Sequence, residues 1–237
     1  MGAFIIILMS NKIFDYKRLT ELVITDMQEV YNRYTKEMSE CTEEGKMRKL
    51  SETFIEDLFQ TALSRISKET GINIESRVGS TDCFERRIVD AGEVLEDKKI
   101  QVDRHNYING RLVFVTENKS NLDLCYTKRA LFDFIDIGNA IHESGKDPRK
   151  IKYIIFSGQT AIEDKAKKFS IADFKQKTSR MYSTFLEKLF GKAHGLEAEI
   201  FFVINGKRAS TKPVYKTNPG LNENEIERFV KYTLSII

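Results

Sequence analysis

A glutamate and a lysine separated by one residue end an apolar stretch of the chain. The run 112–116 (LVFVT) is followed directly by Glu117, Asn118 and Lys119. A run that is apolar at successive positions indicates a strand covered on both faces. Because side chains alternate between the two faces of a strand, we expect Glu117 and Lys119 to point to the same side. Ionised groups at the end of a buried strand need an opposite charge or a metal ion to offset their desolvation.

Asp103 supplies a second carboxylate if the two strands around Asn109-Gly110 pair in the right register. This dipeptide between two strand-like runs predicts a β-hairpin. A strict two-residue turn would direct Asp103 to the wrong face. A three-residue loop over 108–110, with the glycine as a left-handed bulge, places Asp103 opposite Val115 and diagonal to Glu117. The Cβ atoms of Asp103 and Glu117 would then be roughly 7–8 Å apart. The alternation of polar residues along 101–107 favours this second register, so we predict the bulged hairpin.

Two carboxylates and a lysine that converge have the composition of a magnesium site for phosphodiester hydrolysis. Asp103 and Glu117 offer the hard oxygen ligands that Mg²⁺ prefers, and the carbonyl of Asn118 lies between the charged side chains as a further ligand. A bound Mg²⁺ polarises the phosphodiester and acidifies a water, which Lys119 orients. We therefore predict Asp103, Glu117 and Lys119 as catalytic residues, and Asp103, Glu117 and Asn118 as metal ligands.

The remainder of the chain predicts the elements that must hold this hairpin. Apolar residues at helical spacing cover 14–38 and 47–70, and Gly71 is the predicted stop of the second helix. Four strand-like runs then predict an antiparallel meander: Ile72–Val78, Arg87–Ala91, Lys99–Ile108 and Arg111–Lys119. They are followed by a helix from Leu124 towards Gly145, a strand Lys152–Ser157, a helix Ser170–Lys192, a strand Glu199–Ile204 and a terminal helix Glu223–Ile236.

This order of elements predicts the fold class. The meander gives antiparallel neighbours, and the later strand–helix–strand crossovers give parallel ones. The expected architecture is one α/β domain over residues 1–237, with a mixed central β-sheet flanked by helices on both faces. Residues 1–71 form its helical N-terminal part, 72–204 the catalytic core, and 205–237 a basic loop with the terminal helix.

The hairpin motif resembles a known nuclease family. The pattern D-x13-E-N-K over 103–119, followed by a helix and further core strands, is similar to the PD-(D/E)XK nuclease superfamily, with the match covering about residues 86–204. In layout the chain looks most like type II restriction endonucleases of the EcoRI-like branch, and the run 138–141 (GNAI) adds a small resemblance. The family's proline before the aspartate is Val102 here, so the assignment of Asp103 has less support than those of Glu117 and Lys119.

The resemblance implies a restriction-endonuclease-like fold and Mg²⁺-dependent hydrolysis of double-stranded DNA that leaves 5′-phosphate ends. It also implies a symmetric homodimer acting at a short palindrome, and a DNA methyltransferase as the functional counterpart of a restriction enzyme. Two basic segments are the candidate DNA contacts. Their residues are Tyr126, Lys128 and Arg129 at the start of the helix after the site, and Asn205, Lys207, Arg208, Ser210 and Lys212 after a core strand.

Other assignments of these residues stay open. Asp90 is a rival acid, although its position before Ala91-Gly92 favours a strand-end turn. Glu56 is a candidate extra carboxylate from a helix, or else a solvated side chain. His105 is a candidate general base, or else a packing residue. The same core also suits a repair or processing nuclease, and a DNA-binding protein without catalysis would use Glu117 and Lys119 as a structural ion pair.

Composition sets only broad limits. The 38 basic and 35 acidic residues leave a net charge of +3, which permits nucleic-acid binding without predicting it. Three cysteines in no C-x-x-C pair argue against structural zinc and favour a reducing cytoplasm. The apolar run 3–9 is too short to span a bilayer, so no membrane association is expected. It is either an edge strand or an extension upstream of a start at Met9.

Overall fold

The described part of the chain contains nine strands, five α-helices with both ends described, and two short 3-10 helices. A computed structural model describes residues 6–9, 12–79, 84–90, 93–122, 124–160, 186–206 and 214–237. The strands are β1 (Ile6–Met9), β2 (Lys12–Asp15), β3 (Ile74–Val78), β4 (Phe84–Asp90), β5 (Glu93–Ile100), β6 (Arg104–Ile108), β7 (Arg111–Leu122), β8 (Lys152–Thr160) and β9 (Glu197–Phe202). The helices are α1 (Tyr16–Glu40), α2 (Glu44–Thr70), α3 (Leu124–Glu143), α4 (Val214–Thr217) and α5 (Glu223–Ile236).

A five-stranded mixed sheet in the order β3-β6-β7-β8-β9 forms the centre of the α/β fold. β3, β6 and β7 are antiparallel neighbours, whereas β7, β8 and β9 run parallel. The expected mixed sheet flanked by helices is therefore confirmed. β7 is the middle strand: it pairs with β6 up to Thr116 and with β8 from Phe114 to Leu122.

The two faces of the sheet pack against different helices. On one face Phe156 of β8 contacts Phe59 of α2 and Phe229 of α5, with ring centroids 5.3 and 5.1 Å apart. On the other face its neighbour Tyr153 contacts Phe134 of α3 at 5.7 Å. Both cores are built from side chains that are almost fully buried. Val115 of β7 belongs to the α3 side, which fixes the face on which Glu117 and Lys119 must lie.

A short 3-10 helix, Phe190–Ala193, packs closely on α3. A Cβ atom on Gly138 would lie 2.4 Å from the carbonyl oxygen of Ala193, so only glycine allows this approach. The 138–141 run therefore has a packing role. Next to it, the rings of His142 and His194 stack at 4.1 Å, and His194 Nε2 lies 2.8 Å from Asn139 Oδ1. Most of the predicted helix Ser170–Lys192 lies outside the described residues.

The predicted four-stranded meander is wrong in one respect. β4 and β5 pair only with each other, as a separate two-stranded sheet, and β3 pairs directly with β6. Their sequences explain this, because FERRIVD and EVLEDKKI carry too many charges to be covered by helices on both faces. At the base of this hairpin Phe84 pairs with Ile100, and both side chains are buried in the α3-side core. The predicted strand Lys99–Ile108 is accordingly split, with a break at 101–103.

The predicted three-residue loop at Gly110 is also wrong. Ile108 pairs with Arg111, and Asn109 and Gly110 have φ angles of 50° and 78°, so the turn contains two residues. Two successive left-handed residues are what the tight hairpin turn requires, and Asn-Gly is the preferred pair for it. The register shifts instead inside β7, where Val113 is the extra residue between the pairs Tyr107–Leu112 and Asn106–Phe114.

The remaining predicted elements agree with the structure to within a few residues. β1 pairs with β2 as a hairpin apart from the central sheet, as the edge-strand interpretation of the N-terminal run allowed. α2 ends at the predicted Gly71, and α5 has the predicted bounds. Among the described residues, no helix combines the length and the apolar character needed to cross a membrane.

Candidate active site

The bulge in β7 brings Asp103 and Glu117 face to face. Beyond Val113 the pairing of β6 with β7 is shifted by one residue, so that Arg104 lies opposite Thr116. Asp103, the residue directly before β6, therefore lies across from Glu117 rather than from Val115. The sequence predicted the extra residue in the loop at Gly110, whereas the structure has it at Val113. Each of these one-residue shifts places Asp103 on the same face of the sheet as Glu117. The predicted register was wrong, and the predicted face is confirmed.

The three predicted catalytic side chains are in contact. Lys119 Nζ lies 3.5 Å from Asp103 Oδ2 and forms a close ion pair with Glu117 Oε2. Asp103 Oδ2 also accepts a hydrogen bond of 2.6 Å from the backbone N–H of Asn118. One ammonium group thus bridges two carboxylates from neighbouring strands. The backbone between Glu117 and Lys119 holds the aspartate in place.

Burial perturbs both charged groups on β7. The side chain of Glu117 is only 5% exposed. Burial, followed by the charge of Asp103, raises the pKa of Glu117 to about 7. Burial acts to lower the pKa of Lys119, but the charges of Glu117 and Asp103 outweigh it and the pKa is raised. The lysine is therefore cationic at neutral pH, while Glu117 is poised between its two protonation states.

The first half of α3 adds two charged residues that lie close to the site. The charge of Asp133 helps to raise the pKa of Glu117, and that of Arg129 acts on Lys119. Arg129 Nε is 3.9 Å from Asp133 Oδ2 along the helix. The assignment of Arg129 as a DNA contact agrees with its side chain being 75% exposed. Sequence reasoning missed Asp133, although its spacing of four residues from Arg129 was a usable signal.

The donor set fits Mg²⁺ with most of its ligands supplied by water. No group of three His, Cys, Asp or Glu side chains suited to a metal ion occurs within the described residues. Mg²⁺ nevertheless keeps several waters and is commonly held by one or two carboxylates. Asp103 and Glu117 provide two, on adjacent strands and on one face. The carbonyl of Asn118 stays a predicted ligand, since its N–H is the group that contacts Asp103.

The second group of predicted DNA contacts is described only in part. The Asn205 side chain donates to the carbonyl oxygen of Leu221 at 2.6 Å, and its backbone carbonyl accepts from Gln159. Asn205 thus holds a turn, which leaves its amide less available for base contacts. The side chains of Tyr126 and Lys128, and the residues Lys207, Arg208, Ser210 and Lys212, lie outside the described part of the chain.

The rival residues fall elsewhere. Glu56 accepts a hydrogen bond of 2.8 Å from Arg104 Nε on the α2 side of the sheet, the face opposite Glu117. Asp90 pairs with Glu93 at the end of the separate β4–β5 hairpin. His105 is buried, with its ring 4.9 Å from that of Phe84, which agrees with the packing interpretation.

Comparison with known proteins adds no assignment, because no protein-family model and no curated protein sequence matches the chain.

Proposed function

We propose that this protein is a Mg²⁺-dependent endonuclease that hydrolyses phosphodiester bonds in double-stranded DNA. The observation that carries the proposal is the position of Lys119 between Asp103 and Glu117, on one face of adjacent strands. This arrangement puts a cation for the developing charge beside two ligands for a metal. It needs no covalent intermediate.

Each residue has a separate role in the proposed reaction. Asp103 and Glu117 would hold the metal, which would supply positive charge at the phosphate and a water of lowered pKa. Lys119 donates hydrogen bonds to the attacking water and to the phosphate oxygen on which charge develops. Asn118 orients Asp103 through its backbone N–H. Arg129, which is exposed on α3 near Lys119, is placed to contact the phosphate backbone of the DNA.

The alternative of a purely structural ion pair is less well supported. A structural pair balances its charges, whereas here two carboxylates share one ammonium group. Burial and the second carboxylate together hold the pKa of Glu117 near neutrality, which is unfavourable for the folded protein without a metal. Perturbed ionisable groups gathered at the end of a central strand are more typical of functional sites. A cation between Asp103 and Glu117 would relieve the repulsion.

The finer proposal is a type II restriction endonuclease of the PD-(D/E)XK superfamily that acts as a homodimer. It rests on the D-x13-E-N-K resemblance, and the order of the central sheet supports it. The antiparallel pair β6–β7 carries the motif, and α3 and the parallel strands β8 and β9 follow, in the order that the resemblance implies.

Incubation with plasmid and phage DNA of known sequence, with and without Mg²⁺, tests the proposal. We expect discrete fragments that require Mg²⁺ and disappear with Lys119→Ala. Lys146→Ala, a substitution in the loop at the far end of α3, is the matched control and should cut normally. Discrete fragments support restriction, whereas a ladder without preferred sites would indicate a non-specific or processing nuclease. Uncut DNA on every substrate, with DNA binding intact, would contradict the enzymatic proposal.

A further inference from the structure

Tyr153 is a fully buried tyrosine whose hydroxyl has no hydrogen-bond partner among the described residues. Its ring packs against Phe134 of α3, with centroids 5.7 Å apart. Removing a hydroxyl from water without giving it a partner is unfavourable, and phenylalanine would fill the same space without that cost. The hydroxyl therefore needs a hydrogen-bond acceptor, and none lies within hydrogen-bond distance among the described residues.

Tyr153 lies on the same face of the sheet as the candidate site. In the parallel β7–β8 ladder Val115 is level with Tyr153, and Glu117 is level with Ile155. Tyr153 and Glu117 consequently lie on the same face of the sheet, one diagonal step apart. α3 covers this face, and Phe134, the residue that contacts the tyrosine ring, directly follows Asp133 in α3.

Electrostatics agrees with this placement. Burial raises the pKa of Tyr153 well above its ordinary value, and the charges of Glu117, Asp133 and Asp103 raise it further, in that order. Both carboxylates of the site and that of Asp133 therefore act on this one phenol. The hydroxyl stays protonated, so its available role towards a carboxylate is that of a hydrogen-bond donor.

We propose that Tyr153 is a positioning residue for the metal site, whose hydroxyl donates a hydrogen bond to the Glu117 carboxylate when a divalent cation is bound. The inference rests on the proposed Mg²⁺ site. Glu117 Oε2 accepts a hydrogen bond from Lys119 Nζ in a close ion pair. A bound cation competes with that ion pair, and the carboxylate then needs a second donor to fix its orientation. Groups that orient metal ligands in this way typically contribute about 10- to 100-fold to metal affinity.

Mg²⁺ affinity of the full chain, measured by calorimetry and by metal-dependent thermal shift, tests the proposal without relying on DNA cleavage. We expect Tyr153→Phe to weaken Mg²⁺ binding about 10- to 100-fold, while the metal-free protein unfolds at the same or a higher temperature. Tyr31→Phe is the matched control. Tyr31 is equally buried and accepts a hydrogen bond of 3.0 Å from Gly220 in the helical layer on the other face. That variant should lose stability and keep its Mg²⁺ affinity.

A double-mutant cycle with Glu117→Ala separates positioning from general packing. Alanine carries no acceptor, so if Tyr153 acts through Glu117, adding Tyr153→Phe to Glu117→Ala should change Mg²⁺ binding no further. Equal Mg²⁺ affinity of Tyr153→Phe and the unmodified protein would overturn the inference and leave the proposed function standing. A protein that shows no Mg²⁺-dependent shift at all would overturn both.

Discussion

The carboxylate of Asp103 accepts a hydrogen bond from the backbone N–H of Asn118 at 2.6 Å, across fifteen residues of sequence. Asn118 lies between Glu117 and Lys119 in β7, so this hydrogen bond ties Asp103 to the part of the strand that carries both charged side chains. The carboxylate of Asp103 has a second predicted role, since it is also a charged ligand for the metal. Position and charge can therefore be separated by substitution.

Asp103→Asn should keep the position and lose the charge. The amide oxygen of asparagine can still accept from Asn118, so we expect unfolding in urea to change by less than about 0.5 kcal/mol. Mg²⁺ affinity should fall at least about tenfold, because one of two anionic ligands is lost. Asp103→Ala removes both and should also lower stability, by about 1 kcal/mol. The expectation is wrong if the two variants bind Mg²⁺ as the unmodified protein does.

Glu117 makes the stability of the metal-free protein depend on pH. Burial and Asp103 raise its pKa to about 7, against 4.5 for a solvated glutamate. A carboxyl that binds its proton more tightly in the folded state favours folding at low pH, and this contribution is lost as pH rises from about 4.5 to 7. In EDTA, Glu117→Gln should therefore gain stability relative to the unmodified protein between pH 5 and pH 8.

Urea unfolding at several pH values measures this difference. Glu75→Gln is the control, because Glu75 is exposed and pairs with Arg77 on β3, away from the site. It should leave the pH dependence unchanged. At pH 8, raising the Mg²⁺ concentration should increase the free energy of unfolding of the unmodified protein but not that of Glu117→Gln. Stability curves of Glu117→Gln and the unmodified protein that run parallel from pH 5 to pH 8 would contradict the assignment.

Lys119→Met should affect metal binding and catalysis in opposite directions. Methionine preserves the length of the side chain and removes its charge, so the two carboxylates face a cation without competition. We expect Mg²⁺ affinity to rise about tenfold or more, and DNA cleavage at saturating Mg²⁺ to fall about 100- to 1000-fold. Lys146→Met should change neither. A variant that loses Mg²⁺ affinity would show that Lys119 serves the structure of the site rather than the reaction.

The sequence predicted most of this site because its information is local. Glu117 and Lys119 follow from the alternation of one strand, and the presence of a hairpin at Asn109-Gly110 follows from the backbone angles those residues favour, although the predicted length of its loop was wrong. The register was missed because alternation determines only on which face a side chain lies. An extra residue in the loop or at Val113 satisfies that condition equally.

What the sequence could not provide depends on the third dimension. Local periodicity predicted β4 as a strand but missed most of β5, and it does not show to which sheet a strand belongs. Likewise, Asp133 and Tyr153 lie 16 and 36 positions beyond Glu117. The packing of α3 on the sheet brings Asp133 near Glu117, and the parallel pairing of β7 with β8 brings Tyr153 near it. No single-strand pattern records either contact.

Asn106 should support the bulge on which the site geometry depends. Its buried amide donates to Phe114 O at 3.3 Å and to Thr116 Oγ1 at 3.0 Å, both just beyond the extra residue Val113. Asn106→Ala should lower the free energy of unfolding by about 1–3 kcal/mol and weaken Mg²⁺ binding through Asp103. Asn32→Ala on the exposed face of α1 should change stability by less than about 0.5 kcal/mol. Loss of stability with unchanged Mg²⁺ affinity would separate the bulge from the site.

Glu56 provides the test of how many carboxylates the site contains. It pairs with Arg104, the neighbour of Asp103 in the chain, but on the α2 face of the sheet. Glu56→Gln should therefore lower the free energy of unfolding by about 1–2 kcal/mol through the weakened pair and leave Mg²⁺ affinity and DNA cleavage unchanged. Glu52→Gln, one turn earlier on the exposed side of α2, is the control for charge alone. If Glu56→Gln reduced Mg²⁺ affinity as strongly as Asp103→Asn, a third carboxylate would have to reach the metal from α2, and the two-carboxylate site would be wrong.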